Sequence, residues 1–205
     1  MQDDIRGEIL KGLKRVVIKI GSSIITQFEK GQAGSENGLN ANNVRRLAET
    51  IRRIIDRDCE VVLVSSGAIM AGRERLGLHR ANLSIPEKQA CAAIGQSYLM
   101  HTYEKKFEKQ GLRVAQILLG HDDLENRKRF LNAKHTMEAL LEHKVIPIIN
   151  ENDSVTIDEI KIGDNDTLAA TVACLVNAQL LIILSDVDGL FSADPSIKRK
   201  KGESP

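Results

Sequence analysis

A chain of 205 residues is long enough to bury roughly 70 % of the surface its unfolded form exposes, so its core needs no disulfide or metal staple. Apolar residues make up 42 % and charged residues 28 %, the balance of a soluble globular domain, and a net charge of +1 removes any general attraction to nucleic acid or anionic membrane. The three cysteines, Cys59, Cys91 and Cys174, are odd in number, far apart and set in apolar company, which excludes a disulfide framework and a zinc spacing and points to reduced core thiols.

The chain opens on Met1-Gln2-Asp3-Asp4, acidic where a signal peptide is basic. No later run reaches the ~18 apolar residues of a membrane span, so a cytoplasmic chain with no membrane partner is expected. Residues 15–20 form the first β-branched run. Residues 27–40, rich in glycine and poor in apolar side chains, have the composition of a mobile loop. Residues 42–58 place Val44, Leu47, Ala48, Ile51, Ile54 and Ile55 at helical spacing among charged residues, an amphipathic helix with one buried stripe. A second run follows at 60–65, and Pro86 opens a helix that passes Ala90, Ile94 and Tyr98 to a stop at Gly111. A run at 113–119, a helix over 127–143 carrying Phe130, Ala133, Met137 and Leu141, a run at 145–150, a very apolar helix over 166–178 and a run at 180–185 complete the order. Most of the runs are apolar on consecutive positions, as strands covered on both faces are. Strands alternating with helices predict an α/β fold with a mainly parallel sheet sandwiched between helices, because parallel neighbours need crossover connections. With no repeat or Pro-rich linker, residues 1–205 read as one domain. The tail from Lys198 to Pro205 reads as solvated chain or as a stripe that attracts phosphate.

Ligands of open α/β sheets sit beyond the carboxyl ends of the strands. The first strand ends Lys19-Ile20-Gly21-Ser22-Ser23. A cation and a small-residue turn there suit a phosphate, although Gly-Ser turns also follow strands with no such duty. The second ends Val64-Ser65-Ser66-Gly67-Ala68, where close approach to backbone donors at a helix start suits a carboxylate or phosphate, or where a tight turn simply packs. The densest cluster is Asn150-Glu151-Asn152-Asp153 with Gly163-Asp164-Asn165-Asp166. One helix N-cap explains only one of Asp164, Asn165 and Asp166. The others call for a cationic partner such as a substrate ammonium or a magnesium held through water. The five histidines are scattered, which sets aside zinc and histidine-based nucleophilic catalysis. The last run ends Ser185-Asp186-Val187-Asp188-Gly189, polar residues that extend a site across the sheet and are also ordinary turn formers.

In order and spacing, Lys19-x-Gly-Ser-Ser, Ser65-Ser-Gly-Ala, Ile149-Asn-Glu-Asn-Asp, Gly163-Asp-Asn-Asp and Ser185-Asp-Val-Asp-Gly-Leu resemble the amino acid kinase family, from about Arg15 to Pro195. Gly67-Ala-Ile-Met-Ala-Gly-Arg-Glu-Arg-Leu-Gly and Ala93-Ile-Gly-Gln-Ser resemble the branch that phosphorylates the side-chain carboxylate of glutamate at the start of proline synthesis. The resemblance implies an amino acid kinase-like fold, ATP and Mg2+ as cofactors, L-glutamate as acceptor, proline as a feedback inhibitor and a homo-oligomer. It implies that Lys19, Gly21, Ser22, Ser185 and Asp186 hold the nucleotide, that Ser66, Gly67, Asn150, Asp153 and Asn165 hold glutamate, and that Lys19 and Asp166 are catalytic. No separate protein-held metal site is implied. Family members continue past Ala193-Asp194-Pro195 with a glycine-rich stretch and a second lysine, so ending at Pro205 predicts an incomplete nucleotide grip. Other acceptors within the family (acetylglutamate, aspartate, a nucleoside monophosphate) and a silent glutamate- or proline-sensing module are the competing readings.

Overall fold

The computed structural model describes residues 12–26, 35–36, 38–80, 82–155 and 165–185. Five strands, β1 (Arg15–Ile20), β4 (Glu60–Ser65), β5 (Arg113–Leu119), β6 (Val145–Glu151) and β7 (Leu180–Leu184), pair in parallel in the order β5-β6-β4-β1-β7. Three neighbouring strands, β6, β4 and β1, are buried along almost their whole length. The flanking β5 and β7 are largely half-buried, so the reading of strands covered on both faces holds for the centre of the sheet and not for its sides.

Side chains alternate across a strand, and here both alternations are apolar because helices cover both faces. Val16, Ile18 and Ile20 of β1, with Leu63 of β4 and Ile148 of β6, face α2 (Ala41–Ile55) and α4 (Ile85–Glu108), which contribute Ala48, Ile51, Leu99, Tyr103 and Phe107. Val17, Val62, Val64 and Ile149 face α6 (Arg127–Glu142) and α7 (Asn165–Leu175), which bring Met137, Leu168, Ala169 and Val172.

Most departures from the sequence expectation lie at element ends. Helix α2 begins at Ala41 because the Asn40 side chain caps it, accepting from the N–H groups of Asn42 and Asn43 at 3.1 Å. It ends at Ile55, before 58, because Asp58 takes φ +57. Pro86 does lie in the first turn of α4, which ends at Glu108, and Gly111 at φ +67 turns the chain into β5. Three short helices go beyond the sequence reading or sharpen it: α1 (Ser22–Thr26), α3 (Ala68–Leu76) and α5 (His121–Glu125). Of the loop expected over 27–40, residues 27–34 and 37 lie outside the described residues. The rest forms an antiparallel pair of β2 (Ser35–Glu36) with β3 (Leu39–Asn40), in which Leu39 is fully buried.

Cys59 and Cys91 are buried free thiols, each pushed above the ordinary thiol pKa by burial, but Cys174 is exposed, contrary to the core position expected of it. It sits on the solvent side of α7, where the apolar composition of that helix had masked which residues face outward. No helix among the described residues is long and apolar enough to cross a membrane.

Candidate functional site at the carboxyl ends of the central strands

Lys19 shares the face of β1 that carries Val17, the face covered by α7. Its ammonium lies at the strand end, where the N-terminus of α7 arrives, and it meets the Asp166 Oδ1 at 2.7 Å. A nearly buried lysine, 8 % exposed, needs a counter-charge. A carboxylate in the first turn of a helix is itself favoured by the helix dipole. The Asp166 side chain remains 40 % exposed, so the pair has a dry side and an open one.

Beside it, the ends of β1 and β7 are laced together by the Gly21 N–H donating to the Leu184 carbonyl at 3.2 Å. A Cβ on Gly21 would touch that carbonyl at 3.4 Å and stand 3.9 Å from Lys19 Nζ, so glycine keeps the backbone close to both. Ser22 follows as the exposed first residue of α1, so the Gly-Ser-Ser segment is a helix start rather than a free turn. Ser185 is exposed immediately after β7. Lys19, Gly21, Ser22 and Ser185 therefore come together at one end of two paired strands. Asp186 lies outside the described residues, as does Asp164.

On the other side of Lys19, carboxamides converge from three elements. The Ser66 N–H donates to the Ile20 carbonyl at 3.2 Å, tying the end of β4 to β1, and Gly67 at φ +98 turns the chain into α3. That φ lies in the left-handed region where a side chain is strained, which accounts for glycine there. Asn165, the first residue of α7, donates through Nδ2 to Ser66 Oγ at 2.5 Å, and lies 3.4 Å from both the Ser65 carbonyl and Asn150 Oδ1. Asn150, buried at the end of β6, donates to Gln96 Oε1 at 2.9 Å. Ser66, Gly67, Asn150 and Asn165 are thus one cluster. Asp153 is not hydrogen-bonded into it by any of these contacts. Half-buried, it lines a cavity of about 620 Å³ with Gln96, Gln116, Ala68 and His101, next to the cluster.

Three residues of this region carry no role in the sequence reading. Gln96 and Gln116 continue the carboxamide chain, Gln96 Nε2 donating to Gln116 Oε1 at 3.1 Å. A glutamine on an otherwise buried stripe of α4 was the available signal. Tyr103, fully buried, exchanges a hydrogen bond with Ser65 Oγ at 2.9 Å, and burial pushes its phenol far above the ordinary range, so it stays protonated. The bond braces the strand end that presents Ser66. Tyr103→Phe is expected to cost about 1–2 kcal/mol in urea denaturation with the m-value unchanged, because Ser65 Oγ keeps the Ser66 carbonyl at 3.2 Å as an alternative partner.

A central cation at the ends of parallel strands, flanked by a glycine turn on one side and a carboxamide cluster on the other, suits a ligand with phosphate at one end and mixed ammonium and carboxylate groups at the other. The model of the amino acid kinase family matches residues 14–203. Over 190 residues the chain is 53 % identical to the glutamate 5-kinase of Geobacter metallireducens, covering 93 % of this chain and 49 % of the relative. Over 195 residues it is 51 % identical to that of Clostridium tetani, covering 94 % of this chain and 69 % of the relative. The chain spans about half the length of most of the curated relatives it matches. A solved carbamate kinase from Giardia shares the fold at a TM-score of 0.58 and 17 % identity, covering 86 % of this chain and 75 % of that one. A family model that spans nearly the whole chain, together with a parallel sheet bearing the expected motifs at its strand ends, makes this protein a member of the amino acid kinase family.

Proposed function

We propose that the chain, residues 1–205 forming one amino acid kinase domain, transfers the γ-phosphate of ATP to the side-chain carboxylate of L-glutamate, giving L-glutamyl 5-phosphate and ADP. The observation that carries this reading is the position of Lys19, held by Asp166 between the Gly21 turn and the Ser66–Asn150–Asn165 cluster. The relatives at about half identity, all glutamate 5-kinases, support this acceptor over acetylglutamate, aspartate or a nucleotide.

An attacking carboxylate is already ionised at neutral pH, so no general base is required. One carboxylate oxygen forms a bond to the γ-phosphorus as the bond to the ADP oxygen breaks, and the barrier falls through alignment and charge neutralisation. In this reading Lys19 places its ammonium against the transferring phosphoryl oxygens, and Asp166 keeps that ammonium at the strand end. Gly21, Ser22, Ser185 and Asp186 hold the nucleotide, and Ser66, Gly67, Asn150, Asp153 and Asn165 hold glutamate. Among the described residues no three His, Cys, Asp or Glu side chains converge as a metal site. The carboxylate beside Lys19, that of Asp166, is engaged by the Lys19 ammonium at 2.7 Å. Magnesium would come with the nucleotide phosphates and would neutralise phosphate charge beside Lys19. Proline as feedback inhibitor, homo-oligomeric assembly and a cytoplasmic place at the start of proline biosynthesis belong to the same reading.

Hydroxylamine intercepts acyl phosphates as hydroxamates. With ATP, magnesium and hydroxylamine, the chain should form a hydroxamate from L-glutamate and far less from aspartate or acetylglutamate. No hydroxamate from any acceptor, or preference for a different one, would sink the assignment. Asp153→Asn should raise the glutamate KM about tenfold, because a half-buried ammonium partner lies between the extremes of an exposed and a fully desolvated pair. An unchanged KM would remove Asp153 from the pocket.

A further inference from the structure

The two ends of a carboxamide are distinguished by neighbours that can only donate or only accept. At Asn150 the fixed neighbour is the Glu151 backbone N–H, which donates to Oδ1 at 2.9 Å. Nδ2 must then face Gln96, which answers with Oε1 at 2.9 Å and turns its own Nε2 to Gln116 Oε1 at 3.1 Å. At Asn165 the neighbours are the Ser65 carbonyl and Asn150 Oδ1, both acceptors and both 3.4 Å away, so Nδ2 is the atom that faces them. The polarity of the whole chain follows from two backbone groups. It leaves Asn165 Oδ1 buried with no hydrogen-bond partner among the described residues, a costly state unless a ligand supplies a donor. It also leaves Ser66 Oγ accepting from Asn165, with its own proton to give elsewhere.

We propose that Gln96 is a positioning residue: by accepting from Asn150 Nδ2 it holds that carboxamide in the orientation the Glu151 N–H selects, and so keeps Asn150 Oδ1 against Asn165 Nδ2 and the Asn165 oxygen toward the substrate. Asn165 then accepts from the ammonium of an amino acid while the Ser66 hydroxyl donates to a carboxylate. The inference rests on the glutamate reading above for the ligand, and on the hydrogen-bond polarity alone for the relay. Gln96 suits the task because it is nearly buried on α4, at 8 % exposure, whereas Gln116 at the outer end of the relay is exposed and can turn its amide over.

Glutarate, which has both carboxylates of glutamate and no ammonium, separates positioning from general damage. In calorimetric titrations the chain should prefer L-glutamate. Gln96→Met, of similar size without hydrogen-bonding groups, should weaken L-glutamate about tenfold and glutarate less than twofold. Gln96→Glu keeps an oxygen for Asn150 Nδ2 and should retain most of the preference. Equal weakening of both ligands by Gln96→Met, or none, would overturn the proposal. A ligand-free readout accompanies it: the side-chain amide protons of Asn150 and Asn165 should exchange slowly with solvent by NMR and quickly in Gln96→Met, and unchanged exchange would overturn the relay. If the unsubstituted chain binds neither compound, the glutamate reading and the ligand half of the proposal fall together, while amide exchange still decides whether Gln96 orders Asn165.

Discussion

Lys19→Ala should lower kcat by roughly 10² or more while leaving the KM for L-glutamate little changed. The ammonium it removes sits at the strand end between the two halves of the site, where charge on a transferring phosphoryl group would gather. Removing it also strips Asp166 of the cation 2.7 Å away, so the carboxylate is left facing the phosphates. Two effects therefore add: lost neutralisation and new repulsion. The double variant Lys19→Ala with Asp166→Asn tests the second, since it should recover part of the loss, and the non-additivity measures the coupling of the pair. Steady-state kinetics of the hydroxamate reaction reads both. A Lys19→Ala enzyme with near-normal kcat would take Lys19 out of the chemistry, and a double variant no better than the single would show that Asp166 does not act through Lys19.

Gly95→Ala should destabilise the fold by about 2 kcal/mol or more, although alanine is the better helix former by about 1 kcal/mol. The sign is decided by where α3 and α4 cross. A Cβ on Gly95 would lie 1.8 Å from the Ala68 carbonyl oxygen and 2.6 Å from the Gly72 nitrogen, and one on Gly72 would lie 1.9 Å from the Cys91 carbonyl oxygen. These are backbone atoms, so no rotamer change relieves the overlap and the helices must part. Parting them displaces the start of α3, which follows Ser66 and Gly67, so the glutamate KM should rise in the same variant. Urea denaturation gives the stability, and a Gly95→Ala chain as stable as the parent or more so would show that the crossing yields.

Much of the fold was legible because its elements announce themselves locally. The β-branched runs at 15–20 and 60–65 match β1 and β4, since a strand buried on both faces leaves a short, continuous β-branched run, and the run at 113–119 matches β5 although that strand is only half-buried. The stripe of α2 was readable from its spacing, but its end was not, because Arg57 and Asp58 continue a helical pattern until the backbone turns left-handed. The exposure of Cys174 was hidden for a related reason: an apolar helix does not say which side faces the sheet.

The chemistry divides in the same way. Position after the strands singled out Lys19, Gly21, Ser22, Ser66, Gly67, Asn150 and Asn165 with packing turns and caps as alternatives, the family resemblance gave them roles, and the structure gathers them at adjoining strand ends. Sequence could not say that Lys19 spends its charge on Asp166, which lies far along the chain and arrives only when α7 packs on the face of β1 shared by Val17. Nor could it assign an atom to each task. Asparagine is donor and acceptor at once, and only the Glu151 N–H and the Ser65 carbonyl, brought beside Asn150 and Asn165 by the folded sheet, decide which end of each amide is turned inward.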